Sequence, residues 1–203
     1  MENFEQIIIR KDDRLFEFVH NLVIMIESFA IGVNSHCNNP ATFSEGTCLS
    51  CHSKVFNKEI QFPIYGSIIR ALNNIIPIFI EVRIIEKKLS LDPNIIWNDK
   101  FASVVEYVFK PFFINYYETY FNTITHKYNG LKNSPEEWKV AWILRNALSH
   151  NGNITIKPHY SELTATWGNL TLNFSMNNKK VMYEIISAAD LFLLMLDMDK
   201  CLD

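Results

Sequence analysis

Apolar residues recur every three or four positions over residues 12–33 (DDRLFEFVHNLVIMIESFAIGV), which predicts a first helix with Asp12 or Asp13 as its cap. A polar stretch rich in Asn, Ser and Cys follows at 34–59, without periodicity, and reads as a long loop. From Pro63 a second helical pattern runs through QFPIYGSIIRALNNIIPIFIEVRIIEKKL, with Pro77 expected to kink or interrupt it. LSLDPNIIWND is a connector. Residues 99–128 form a third pattern, dense in aromatics and carrying Pro111 within it. NGLKN ends that pattern and SPEEW starts a fourth. Ser134 is expected as N-cap, Pro135 at the first helical position and Glu137 as the reciprocal partner of a capping box.

After Asn151-Gly152 the period changes to two, in NITIKP, ELTATWG and NLTLNF. With Gly168-Asn169 as punctuation, this predicts a small β-hairpin or meander. A fifth helix is expected over roughly 178–200. The expected fold is all-α: an antiparallel bundle of about five helices with the β element between the fourth helix and the last. One domain is expected over 1–203, with a Cys-rich loop at 34–59 and a β appendage at 153–175.

Composition narrows the function classes. The chain has 203 residues, of which 48% are hydrophobic and 20% charged, as in a globular protein with a real core. Apolar runs such as IIPIFIEV and LFLLML are too short to span a bilayer. The start, MENFEQIIIRKDD, lacks a basic region followed by an apolar stretch, so a cytoplasmic protein with no membrane partner is expected. A formal charge of −3 does not announce a basic face that tracks long nucleic acid, but it leaves room for a small site gripping one or two phosphates.

The fourth helix ends in WILRNALSHNG (142–152). On an ideal helix Lys139, Asn146 and His150 fall within about 40° of one another, forming a narrow polar strip on an otherwise apolar cylinder. Arg145 lies about 140° from His150 by the same count. Convergence therefore needs a bent helix end, the long reach of arginine, or a second subunit. A capped helix end with a paired arginine is the plainer alternative.

RNALSH resembles the signature of the HEPN superfamily, in which an arginine is followed by a polar residue, often Asn, and by a histidine four to six positions on. Arg145, Asn146 and His150 match all three places, near the end of a helix. The motif covers about ten residues; the expected helical layout extends the resemblance over most of the chain.

The resemblance implies a metal-independent endoribonuclease of the toxin or phage-defence kind, with Arg145, Asn146 and His150 catalytic and no catalytic cofactor. The residue types suit that chemistry. Attack by a ribose 2′-hydroxyl needs a base, departure of the 5′-oxygen needs an acid, and imidazole can serve as either. Guanidinium matches phosphate oxygens. Products would be a 2′,3′-cyclic phosphate and a 5′-hydroxyl. One histidine cannot easily be both base and acid in a single step, so a homodimer with a composite cleft is expected. The family also suggests a neutralising antitoxin or nucleotidyltransferase partner. A non-catalytic HEPN-like module that binds a nucleotide or a protein is the alternative.

The loop SHCNNPATFSEGTCLSCHSK offers Cys37, Cys48, Cys51 and His52, with His36 as the alternative fourth ligand, for a structural zinc. Unmetallated thiols are the other reading. His20 is expected at a helix interface, and His126 and Tyr128 have no assigned place. His159 is expected in solvent, Trp167 in the hairpin, and Tyr116, Tyr117, Tyr120 and Phe121 in the core or a subunit interface, with base stacking as the alternative.

Overall fold

The computed structural model describes residues 4–36, 48–63, 65–86 and 99–203. The described chain is mixed α/β, which corrects the all-α expectation. Five helices stand beside a four-stranded sheet and a two-stranded one. The chain divides into two compact units, one of residues 1–51 and 58–89, the other of 52–57 and 90–203.

The first unit holds β1 (Phe4–Arg10), α1 (Phe16–His36), β2 (Cys48–His52), β3 (Lys58–Pro63), α2 (Ser67–Leu72) and β4 (Phe79–Glu86). Its sheet runs β1-β4-β3-β2, with β4 antiparallel to both β1 and β3. The expected second helix is therefore a strand, one and a half helical turns and another strand. Three local features break it: Gly66 and Asn74 sit at positive φ (77° and 55°), and Pro77 has no N–H to donate. Beyond Pro77 the sequence FIEVRIIE alternates. Ile80, Val82 and Ile84 are buried, while Phe79 and Arg83 are exposed and Glu81 and Ile85 half-buried, which is strand periodicity. β-branched residues favour that pleated surface.

The helix expected at 12–33 is α1. Asp13 does not cap it; its carboxylate accepts from the Arg10 N–H at 2.6 Å and closes the preceding turn. Val19, Leu22, Val23 and Ile26 form the buried face. Glu27, 3% exposed, accepts from Gly66 N–H at 2.9 Å and Ile68 N–H at 2.7 Å. It thereby satisfies two backbone donors at the start of α2, which has no side-chain cap of its own.

The second unit carries α3 (Asp99–Lys127), α4 (Glu136–Ser149), the hairpin β5 (Ala165–Trp167) and β6 (Leu170–Leu172), and α5 (Ala188–Lys200). Its helices bury Phe113, Tyr116 and Ile124 against Trp138, Ala141 and Leu144 and against Leu191, Leu194 and Met198. Trp138 donates its indole N–H to the Met198 carbonyl at 3.1 Å, fixing α4 to α5. The hairpin turns at Gly168, as expected, with φ of 55°. Any Cβ there would lie 2.5 Å from the Phe56 ring, so the position needs glycine twice over.

The expected capping box at Ser134 and Glu137 does not form. The Ser134 hydroxyl donates to the Gly130 carbonyl at 3.1 Å, and Pro135 stands at the N-cap of α4 with no side-chain cap. The capping box of this unit is instead Ser187–Asp190, at the start of α5. That helix begins ten residues later than the periodicity suggests. Residues 178–187 form bridges and turns instead, including Asn153↔Lys180 and Met182↔Ile186. Among the described residues no helix is long and apolar enough to cross a membrane.

Candidate active site

α4 buries seven of its fourteen residues. Trp138, Val140, Ala141, Ile143, Leu144, Ala147 and Leu148 are all in the core. The polar strip therefore stands out against a helix held on most sides. Asn146 is half-buried and His150 is exposed. The helix closes with the His150 N–H on Ala147 O at 3.2 Å and the Gly152 N–H on the same carbonyl at 2.9 Å. The second is a six-to-one bond of the kind that ends many helices, and Gly152 at φ 81° then turns the chain away. His150 has left helical geometry, at φ −113° and ψ −112°, so its side chain is no longer aimed by the helical period.

Arg145 and Asn146 are joined: the guanidinium Nη1 donates to the Asn146 side-chain oxygen at 3.1 Å. Arg145 also forms an ion pair with Glu118 of α3, to which its Nε donates. Among the described residues the His150 imidazole hydrogen-bonds to neither Arg145 nor Asn146. The structure brings two of the three motif residues together and leaves the third one turn away, facing outwards.

Glu118 was missed in the sequence, although it is the only carboxylate between Glu106 and the end of α3. Beside it lies Tyr117, 2% exposed, stacked on Phe121 and tilted against Trp138. Its hydroxyl is buried without a hydrogen-bond partner among the described residues. Burial raises this phenol well above the usual range, the Arg145 charge opposing and the Glu118 charge reinforcing the rise. The Tyr116 hydroxyl, by contrast, donates to Asp199 at 2.7 Å.

Lys139, expected on the strip, is engaged. Its ammonium bonds Glu136 at 2.8 Å, and Glu136 also accepts from the Thr166 N–H at 2.9 Å, tying β5 to α4. Burial works against the Glu136 charge, but the Lys139 and Thr166 hydrogen bonds outweigh it and hold its carboxyl below the usual range. The unengaged groups on this side of α4 are the Trp142 indole N–H, the Asn146 amide N–H and the His150 imidazole. They stand at intervals of one turn, and none hydrogen-bonds to any described residue.

The expected zinc ligands are a poorer set. Cys37 lies outside the described residues, as does most of the connector before α3. Cys48 and Cys51 are both on β2, and residues three apart on a strand project to opposite faces. Burial, reinforced by Glu59, pushes the Cys51 thiol up to about 12. Burial also raises Cys48, with Arg83 opposing and Glu81 reinforcing. Zinc needs thiolates. Among the described residues no group of three or more His, Cys, Asp or Glu side chains is placed to hold a metal.

In the first unit, His20 stacks on Phe16 and lines a cavity of about 230 Å³ with Ser67, Arg70 and Glu81. Burial, with Arg70 adding to it, favours its neutral form. In the second unit His126 is exposed at the end of α3, and Lys127 covers the Tyr128 ring at 5.7 Å. Among the described residues neither His126 nor Tyr128 hydrogen-bonds to Asn146 or His150.

Comparison of the chain with known proteins finds no matching family model, no matching curated protein and no matching solved structure.

Proposed function

We propose that this protein is a metal-independent endoribonuclease of the HEPN kind that cleaves RNA by attack of the ribose 2′-hydroxyl on the adjacent phosphate. One observation carries the reading. An exposed imidazole ends a helix that is otherwise packed, one turn beyond an amide already bonded to an arginine. The motif is thus rigidly mounted, and its reactive end faces outwards.

In the reaction His150 takes the 2′-hydroxyl proton or protonates the leaving 5′-oxygen. Arg145 meets the charge that develops on the phosphorane, and Asn146 holds the guanidinium and offers its amide N–H to a phosphate or ribose oxygen. The 2′-oxygen bonds to phosphorus as the 5′-oxygen leaves, giving a 2′,3′-cyclic phosphate and a 5′-hydroxyl. A homodimer pairing two such strips supplies the second histidine, one as base and one as acid. A toxin or antiviral role in the cytoplasm follows from that activity, with an antitoxin or nucleotidyltransferase as the restraining partner.

A second reading, a non-catalytic module that binds a nucleotide or a protein, has an observation in its favour. Arg145 is already neutralised by Glu118. Yet the pair is part-exposed, with side chains 29% and 46% accessible, and such pairs are held by about 1 kcal/mol or less. A phosphate can displace Glu118. The two readings part on cleavage, which the binding module lacks, and Glu118→Gln tests the ion pair. In the ribonuclease, freeing the guanidinium strengthens RNA binding by a factor of about 5 at most and leaves cleavage intact. Purified protein incubated with RNA in EDTA tests the proposal itself: wild type cuts, and Arg145→Ala does not.

A further inference from the structure

Among the described tryptophans of the second unit, Trp142 is the one whose placement the core does not explain. Trp138 is fully buried and Trp167 is 4% exposed, and their indole N–H groups bond Met198 O and the Asp197 carboxylate. Trp142 is only half-buried, one turn before Asn146 and two before His150, and its N–H makes no hydrogen bond among the described residues. Its ring is met edge-on by Tyr160, with centroids 4.9 Å apart and planes at 67°. His159 leans on Tyr160 in turn, at 4.2 Å and 47°.

These two rings are delivered by a single helical turn, Pro158–Tyr160, closed by the Tyr160 N–H on Lys157 O at 2.8 Å and the Ser161 N–H on Pro158 O at 3.0 Å. Pro158 stiffens the turn from its first position. Tyr160 is 39% exposed, and Lys157 and His159 are exposed. If the turn served only to cover the Trp142 ring, any aliphatic side chain at 160 would do. Instead it presents two aromatic faces and a cation to solvent beside the motif strip.

We infer that Trp142, Tyr160 and His159 form a stacking subsite that holds a nucleobase of single-stranded RNA next to the phosphate engaged by Arg145 and His150. The inference rests on the ribonuclease reading for its ligand. A flat ring offered beside a cation suits a base on its phosphate chain, because every base has a π-face and aromatic stacking tolerates sequence. A duplex keeps its bases stacked on one another, so the subsite selects unpaired RNA. The lysine adds an electrostatic contact to a neighbouring phosphate without requiring a basic surface, in keeping with the net charge of −3.

The test uses the full chain and a 2′-O-methyl oligonucleotide, which cannot be cut, with binding read by tryptophan fluorescence and by competition. Tyr160→Ala is expected to weaken binding about tenfold, within the range for losing one stacked base. Tyr160→Phe should restore it, and an abasic strand of the same length should bind wild type as weakly as the intact strand binds Tyr160→Ala. Equal binding of the intact and abasic strands by wild type, or undiminished binding by Tyr160→Ala, overturns the subsite. The two ideas fail separately. If unmodified RNA survives wild type in EDTA while Tyr160→Ala still loses binding, catalysis falls and stacking stands. If His150→Ala abolishes cleavage and Tyr160→Ala binds as wild type, the reverse holds.

Discussion

His150→Ala is expected to lower RNA cleavage in EDTA by about 10²- to 10⁴-fold, the range for losing a positioned general acid or base. The reason lies in what the side chain does not do. It is exposed at the end of α4 and makes no hydrogen bond among the described residues, so its removal leaves the helix end intact. The Ala147 carbonyl keeps both its donors, the N–H groups of residues 150 and 152, because they are backbone groups. Thermal stability should therefore change by no more than about 0.5 kcal/mol, as for other surface substitutions. Loss of activity with an unchanged melting temperature assigns the histidine to chemistry. Retained activity would remove His150 from the mechanism.

The largest effect on stability is expected from Asp190→Ala. Asp190 is 1% exposed and sits at the start of α5. Its carboxylate receives the Lys54 N–H at 2.9 Å, the Val55 N–H at 3.2 Å, the Ser187 N–H and hydroxyl at 2.8 Å each, and the Ser53 hydroxyl. One side chain thus caps a helix and holds residues 53–55 against it. Alanine strands several buried donors at once, and each unsatisfied group costs about 1–3 kcal/mol. Solvent and relaxation recover part of that sum, leaving about 3–5 kcal/mol, as for breaking a buried charged network. Melting should fall by on the order of 10 °C. Asp190→Asn should also destabilise, because its amide group turns a donor towards donors. A drop of only a degree or two would mean that the 53–55 segment is not held through this residue.

Both predictions depend on features of unequal visibility in the sequence. The period of 3.6 is plain in α1, α3 and α4, because each has a wide apolar face, and the one glycine among them, Gly32, lies in the last turns of α1. Gly168-Asn169 announced its turn, since only a residue tolerant of positive φ fits there. The sheet was hidden for a definable reason. Ile and Phe clusters on either side of Pro77 satisfy a helical and a strand template equally over short windows. Only the alternation in FIEVRIIE separates them, and it emerges once Pro77 is taken as a break and not a kink. β1 was obscured likewise by the continuous run Ile7, Ile8, Ile9, in which Ile8 is 44% exposed.

At the site, Arg145, Asn146 and His150 were legible because they lie within six residues. Their partners were not: Glu118 is 27 positions from Arg145, and Tyr160 is 18 from Trp142. A helical wheel shows which way a residue points, but not what waits there. It did show that Arg145 diverges from His150. In the structure that divergence has a destination, since Arg145 turns to Glu118 while His150 leaves the helical path. Ser134 was expected to cap a helix, but the cap that forms is at Ser187. Each has a carboxylate three residues on, Glu137 or Asp190; the difference is tertiary, since Asp190 is also held by the Lys54 and Val55 N–H groups, whereas the Ser134 hydroxyl turns back to Gly130.

The central claim is transesterification by the strand's own 2′-hydroxyl, with the protein supplying protons and positive charge. Mapping the ends of RNA cut by the wild-type protein in EDTA tests it most directly. The mechanism predicts 2′,3′-cyclic phosphate and 5′-hydroxyl termini, absent from the His150→Ala reaction. Termini of 3′-hydroxyl and 5′-phosphate, or cleavage that requires added metal, would contradict it.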